Sequence, residues 1–153
     1  MTPPPLRAAV TAAAVVGLDQ ATKALVRANL DRGDSDAIFP AVELVNVRNK
    51  GVAFGLLENG GAIVAVVTAA ALIALLAFFA LNRHRALAWL PTGLLAGGAL
   101  GNIIDRVTRD DGVTDFIKIP VWPAFNLADV AITFGVLALI YVLEGPRKHE
   151  ADG

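Results

Sequence analysis

Two carboxylic acids, Asp115 and Asp129, are the side chains best suited to do chemistry in this 153-residue chain. Asp129 lies in the apolar run from Pro123 to Leu143. Its neighbours three and four positions away are Phe125, Asn126, Ile132 and Thr133, so no basic side chain within a turn neutralises it. The nearest unassigned carboxylate is Asp115, in Val113-Thr114-Asp115-Phe116-Ile117, where apolar neighbours draw a loop acid toward a membrane surface. Two carboxyls meeting in a low-dielectric pocket cannot both ionise cheaply, so they share a proton and one serves as base while the other serves as acid. That is the chemistry of an aspartic protease. Residue types alone leave a second reading open, with Asp115 a solvated loop acid and Asp129 a protonated structural group.

Other mechanisms lack parts. The one serine is Ser35, there is no G-x-S-x-G, and the two histidines, His84 and His149, fall on cytoplasmic flanks away from the layer of intramembrane polar residues. With no cysteine there is neither a thiol nucleophile nor a thiolate metal site, and no H-E-x-x-H segment occurs. No metal and no cofactor are expected. Thirteen Lys and Arg against fourteen Asp and Glu leave a net charge of -1, so no basic field exists to hold nucleic acid.

The elements that carry these acids are apolar. Hydrophobic residues make up 56% of the chain, its 14 glycines add about 9%, and charged residues make up 18%, against about 45–50% apolar with glycine included in soluble domains, so the expected solvent is lipid. Asn59 to Asn82 and Ala86 to Ile104 are free of charge, and each approaches or exceeds the roughly 20 residues that a spanning helix needs. Gly93, Gly97 and Gly101 recur at four-residue spacing in the latter, which permits close helix contact. Two further spans are expected if Asp19 and Lys23 are tolerated in the first and Asp129 in the last. The reading is a single all-α polytopic membrane domain over residues 1–153, with spans at about 8–28, 61–81, 86–105 and 123–143 and an outer platform over 29–60. A cleavable signal peptide is the rival account of the first apolar stretch, but apolar residues resume after Asp19 as Ala21, Ala24, Leu25 and Val26.

Short flanks carrying Arg7, Arg83 and Arg85, and Arg147 and Lys148 belong on one side by the positive-inside rule, which places both termini in the cytoplasm. Trp89 and Tyr141 then fall at the inner interface and Trp122 at the outer one. At about 1.5 Å per residue, Asp19, Lys23, Asn102 and Asp129 all lie within roughly 5–13 Å of the outer face. A charge at membrane depth costs about 2.5–3.5 kcal/mol or more, so these groups should face one another as one site. Asp19 with Lys23 and Asn102 with Arg106 stand at i, i+4, and Asn126 with Asp129 at i, i+3, each pair on one helical face. The bland account of Asp19 and Lys23 is a self-neutralising ion pair. Asp105 and Arg106, at a helix end, read as interfacial anchors.

Ala41 to Asn49 alternates apolar and polar, Val52 to Leu57 is apolar again, and Asn49-Lys50-Gly51 between them is turn chemistry. The pattern predicts a small β-hairpin on the outer surface, a platform able to hold an extended peptide by strand addition.

Five segments in order resemble the motif series of lipoprotein signal peptidase, or signal peptidase II. They are Asp19-Gln20-Ala21-Thr22-Lys23, Asn49-Lys50-Gly51-Val52-Ala53-Phe54, Gly101-Asn102-Ile103-Ile104-Asp105-Arg106, Asp115-Phe116-Ile117 and Phe125-Asn126-Leu127-Ala128-Asp129. Each alone is weak; five in order across residues 19–129 are specific. The resemblance implies an intramembrane aspartic endopeptidase of the bacterial cytoplasmic membrane. Its site faces the periplasm, and it removes signal peptides from prolipoproteins just before the diacylglyceryl-modified cysteine. It implies Asp115 and Asp129 as the catalytic pair and no metal. Asn49, Gly51 and Phe54 would belong to a substrate cradle, Asn102, Arg106 and Asn126 would position the peptide or the pair, and Asp19 with Lys23 would support the site. The partners expected are lipidated precursors and membrane lipids, with the chain acting as a monomer. The competing class is a small transporter or channel subunit relaying ions through Asp19, Lys23 and Asp129, against which the charge-free inner halves of the spans argue.

Overall fold

A computed structural model describes residues 2–51, 60–82, 85, 87–109 and 111–144. The chain runs α1 (Pro4–Asn29), β1 (Ser35–Phe39), β2 (Val42–Asn49), α2 (Gly60–Asn82), α3 (Trp89–Thr108), β3 (Val113–Lys118) and α4 (Leu127–Glu144). Pro4 and Pro5 open α1, where a missing N–H costs nothing. By length and composition α1 and α4 are apolar enough to cross a membrane, with mean hydropathies of 1.2 and 2.0, and the Val66–Asn82 part of α2 is a shorter apolar stretch.

The helices are dressed inside out. Leu6, Val10, Leu18 and Leu25 of α1, Val66, Val67 and Ile73 of α2, and Phe134, Leu137 and Tyr141 of α4 are exposed. Buried apolar side chains are mostly small, while the largest fully buried ones include Lys23, Asn126, Asp19, Asp105 and Asp115. In water such a surface would aggregate; against lipid tails it is the favourable arrangement, and the polar groups have nowhere to go but inward.

Helix α3 is the hub, packed on α1 along one face and on α4 along another. A Cβ at Gly97 would lie 2.7 Å from the Val15 Cβ and 2.9 Å from the Ala12 carbonyl of α1. One at Gly98 would lie 2.5 Å from the Ala128 carbonyl of α4. These contacts bring the backbones close enough for short side chains to meet across the interfaces.

The sheet is antiparallel in the order β1-β2-β3. The strand expected over 41–49 is β2, and the second arm expected over 52–57 lies outside the described residues. The hairpin observed is a different one: β1 and β2 join through Pro40 and Ala41, with Ala41 in the left-handed region at φ 67. The other partner of β2 is β3, from more than sixty residues downstream, in a register that sets Val47 opposite Asp115 and Asn49 opposite Val113. Asp115 therefore sits on a strand and not in a loop, because its segment finds a partner in the central strand β2. Phe125 bridges to Ile117, its N–H donating to the Ile117 carbonyl at 3.0 Å, and this ties the entry of α4 to β3.

Gly98→Ala should destabilise the detergent-solubilised protein by about 1–3 kcal/mol through overpacking. Gly17→Ala, with nothing within 4 Å of the added carbon, should be neutral or stabilising by up to about 1 kcal/mol. Thermal unfolding of the two variants side by side checks this; equal melting points would contradict it.

Candidate active site

Strand β3 delivers Asp115 into the interior, where it is 2% exposed. Its Oδ2 accepts from the Asn49 Nδ2 at 2.9 Å, across the β2–β3 ladder. The Asn49 Oδ1 in turn accepts from the Gly51 N–H at 2.8 Å, an Asx turn that fixes the amide's orientation. Gly51 adopts φ 79, a left-handed conformation that suits glycine. Phe54 lies outside the described residues.

Asp129 enters from the first turn of α4. Asn126 and Asp129 cap each other: the Asp129 N–H donates to the Asn126 Oδ1 at 3.0 Å, and the Asn126 N–H donates to the Asp129 Oδ2 at 3.2 Å. This reciprocal arrangement satisfies two N–H groups that a helix start leaves without partners. It also leaves the Asn126 Nδ2 free to reach sideways, to the Asp115 Oδ1 at 2.7 Å and to the Asn102 Oδ1 at 3.2 Å. The Asn102 Nδ2 donates to the Asp129 Oδ1 at 2.9 Å. One fully buried residue, Asn126, thus hydrogen-bonds both candidate acids.

The Asp115 carboxyl is pushed up to about 6, first by burial and further by the Asp129 charge, against the lowering effect of the Asn49 and Asn126 hydrogen bonds. Arg106 extends over the same region, its Nη1 donating to the Asn102 carbonyl at 3.3 Å and its Nε buried without a partner among the described residues. Asp129, Asp115 and Asp105 are the carboxylates whose field it feels.

Asn102 links the candidate acids to a second cluster, in which Asp19, Lys23 and Asp105 have no exposed surface. The Lys23 Nζ is 2.7 Å from the Asp19 Oδ2, 3.2 Å from the Asp105 Oδ2 and 3.1 Å from the Asn102 Oδ1. Its three protons have three acceptors. Because Lys23 only donates, the Asn102 atom facing it is the oxygen, which turns the Asn102 amide nitrogen toward Asp129. The Gln20 Nε2 lies within 3.3 Å of both Asp19 and Asp105.

Sequence reading foresaw the Asp19–Lys23 pair but took Asp105 for an interfacial anchor, and the structure corrects that. Asp105 is 0% exposed and accepts from Gln20 and from the Thr114 N–H at 3.1 Å as well as pairing with Lys23. A signal for it existed: Asp105 follows Asn102 by three positions and Gly101 by four, on the face that buries both. Gln20 and Thr114 were missed too. Gln20 stands three positions before Lys23 but carries no charge to mark it, and Thr114 meets Asp105 through its backbone N–H, while its hydroxyl accepts from the Arg27 Nη1 at 3.0 Å. Among the described residues no group of three or more His, Cys, Asp or Glu side chains is placed to hold a metal ion.

The geometry brings together Asp19, Lys23, Asn102, Asp115, Asn126 and Asp129 from α1, α3, β3 and α4, with Asn49 reaching in from β2. Such a set orients both carboxyls through hydrogen bonds from Asn49, Asn102 and Asn126. The family model for signal peptidase (SPase) II matches residues 11–144. The lipoprotein signal peptidase of Moorella thermoacetica is 42% identical over 138 residues, covering 89% of this chain and 91% of its own. That of Halothermothrix orenii is 38% identical over 135 residues, covering 88% and 92%. Two solved structures of a bacterial membrane enzyme, at 2.3 and 1.9 Å, superpose with a TM-score of 0.79 each at 34% identity, covering 89% and 92% of this chain and 86% and 94% of theirs. The chain belongs to the signal peptidase II family of membrane proteases.

Proposed function

We propose that this protein is an intramembrane aspartic endopeptidase that cuts the signal peptide from diacylglyceryl-modified prolipoproteins immediately before the lipidated cysteine. In this reading the four helices span the bacterial inner membrane with both termini in the cytoplasm. The acids then lie just below the periplasmic face, and the chain works as a monomer. The single observation that carries it is the placement of Asn126, one hydrogen bond from Asp115 and one from Asp129.

In this reading Asp115, the acid that burial pushes up, holds the shared proton, and Asp129 takes the part of the base. A water between them gives a proton to Asp129 as its oxygen attacks the scissile carbonyl, which the Asp115 proton polarises. The tetrahedral species then collapses with transfer of a proton to the departing amine, so water is added across the amide and no covalent enzyme intermediate forms. Arg106 and the amides of Asn49, Asn102 and Asn126 hold the peptide and the acids in place. The substrate's lipid anchors its cysteine at the outer leaflet, which brings the scissile bond to the depth of the acids and converts a bimolecular encounter into a local one. An apolar cavity of about 500 Å³ between α2, α3 and α4, lined by Val67, Leu72, Phe78, Leu95 and Ile132 among others, is fit to take the apolar part of the substrate. Membership in a protease family leaves the transport reading without support.

Asp115→Asn and Asp129→Asn should each lower cleavage of a lipidated precursor by at least about 100-fold while the protein still accumulates in the membrane. Processing retained by either variant, read as a gel shift with purified protein in detergent, removes that residue from the mechanism. Because Asp115 titrates near 6, raising the pH through that value strips the shared proton, so kcat/KM should fall on an alkaline limb beginning there. The limb for kcat should lie higher, since bound substrate excludes water further. A kcat/KM flat from pH 5 to 8 would contradict the assignment.

A further inference from the structure

Two of the buried carboxylates make a contact that has no counterpart in the motif reading. The Asp105 Oδ2 accepts the backbone N–H of Thr114, the residue before Asp115, at 3.1 Å. The Asp19 Oδ1 accepts the backbone N–H of Ala128, the residue before Asp129, at 3.0 Å. Thr114 and Ala128 are both fully buried. Lys23 joins the two carboxylates at 3.2 and 2.7 Å, and Gln20 spans them a second time.

From this the geometry points to Asp19, Lys23 and Asp105 as a buried clamp that sets the separation of Asp115 and Asp129. The inference rests on the proposed function above. Each acid of the pair is carried on a different element, β3 and α4, with no covalent link shorter than the intervening loop. Side-chain amides from Asn126, Asn102 and Asn49 orient the carboxyl groups, and Asn126 also bonds the Asp129 N–H and the Thr114 carbonyl, all as neutral partners. The clamp adds charged acceptors, because each arm ends on a peptide N–H one residue from an acid, and the arms share one ammonium. A backbone held by a charged acceptor in a water-free interior resists displacement more than one held by a neutral acceptor. Asp19, Lys23 and Asp105 are positioning residues and touch no reacting atom.

Asp105→Asn and Asp19→Asn test this, since each leaves Lys23 with one carboxylate, a neutral buried pair that remains compatible with insertion. Asp105→Glu keeps the charge and shifts the acceptor by one methylene, so it covers the case in which the amide variants fail to accumulate. Each folded variant should lose about 100-fold in kcat, the scale of a misplacement near 1 Å, with KM within about threefold of the parent. In Asp105→Asn the released strand lets water reach Asp115, so the alkaline limb of kcat/KM should move toward acid. Amide exchange at Thr114 should accelerate in the Asp105 variants and at Ala128 in Asp19→Asn, a readout that does not depend on catalysis. Unchanged kcat, pH profile and exchange in folded variants would overturn the clamp. Full activity in Asp115→Asn or Asp129→Asn would instead overturn the proposed chemistry and leave the exchange result to be read alone.

Discussion

The ammonium of Lys23 has no exposed surface, and the rest of the interior is organised around that fact. A buried charge without partners costs several kcal/mol, and removing one partner of a buried pair typically costs about 3–5 kcal/mol. Lys23 answers this with three acceptors drawn from two helices, Asp19 on its own helix and Asp105 and Asn102 on α3. The other oxygen of Asp19 then accepts a backbone N–H of α4, and the same Asp105 oxygen that meets Lys23 accepts one from β3. Each partner that neutralises the cation recruits another element, so a single ion draws α1, α3, α4 and the sheet to one point.

That convergence needs close helices, and the small residues of α3 provide it. Asp19 reaches the start of α4 past Gly101, where a Cβ would stand 2.7 Å from its Oδ2. A side chain at this position would push the carboxylate off both Lys23 and the Ala128 N–H. Glycine here therefore serves the polar cluster directly, and its cost in helix propensity, about 1 kcal/mol, is outweighed by the ion contacts it permits. The helices keep their bulky apolar side chains outward, and the interior is left to polar groups and small residues.

The sheet performs a different task. Strand β3 is held by the β2 ladder on one side and by Asp105 at Thr114, so Asp115 arrives on a rigid support and not at the tip of a loop. Burial on that support raises its proton affinity, while Asp129, at a helix start and partly exposed, has its two oxygens occupied by Asn102 and Asn126. Two acids of the same type thus meet unlike surroundings.

What the sequence determined by itself was local or ordinal. Helical spacing alone paired Asp19 with Lys23 and Asn126 with Asp129, because i, i+3 and i, i+4 neighbours share a face whatever the fold. The order of five short segments was enough to indicate the family whose model matches residues 11–144. Apolar runs located the helices, since their length reflects the medium they lie in. What only the tertiary structure decided were contacts between residues far apart in the chain: β3 against β2, Asp105 against Lys23 and Thr114, and Asp19 against Ala128. An aspartate at a helix end reads the same whether it faces headgroups or a buried lysine, and a backbone N–H has no letter of its own. Their partners are set by how α3 packs between α1 and α4, a property of the assembled bundle that no single segment encodes.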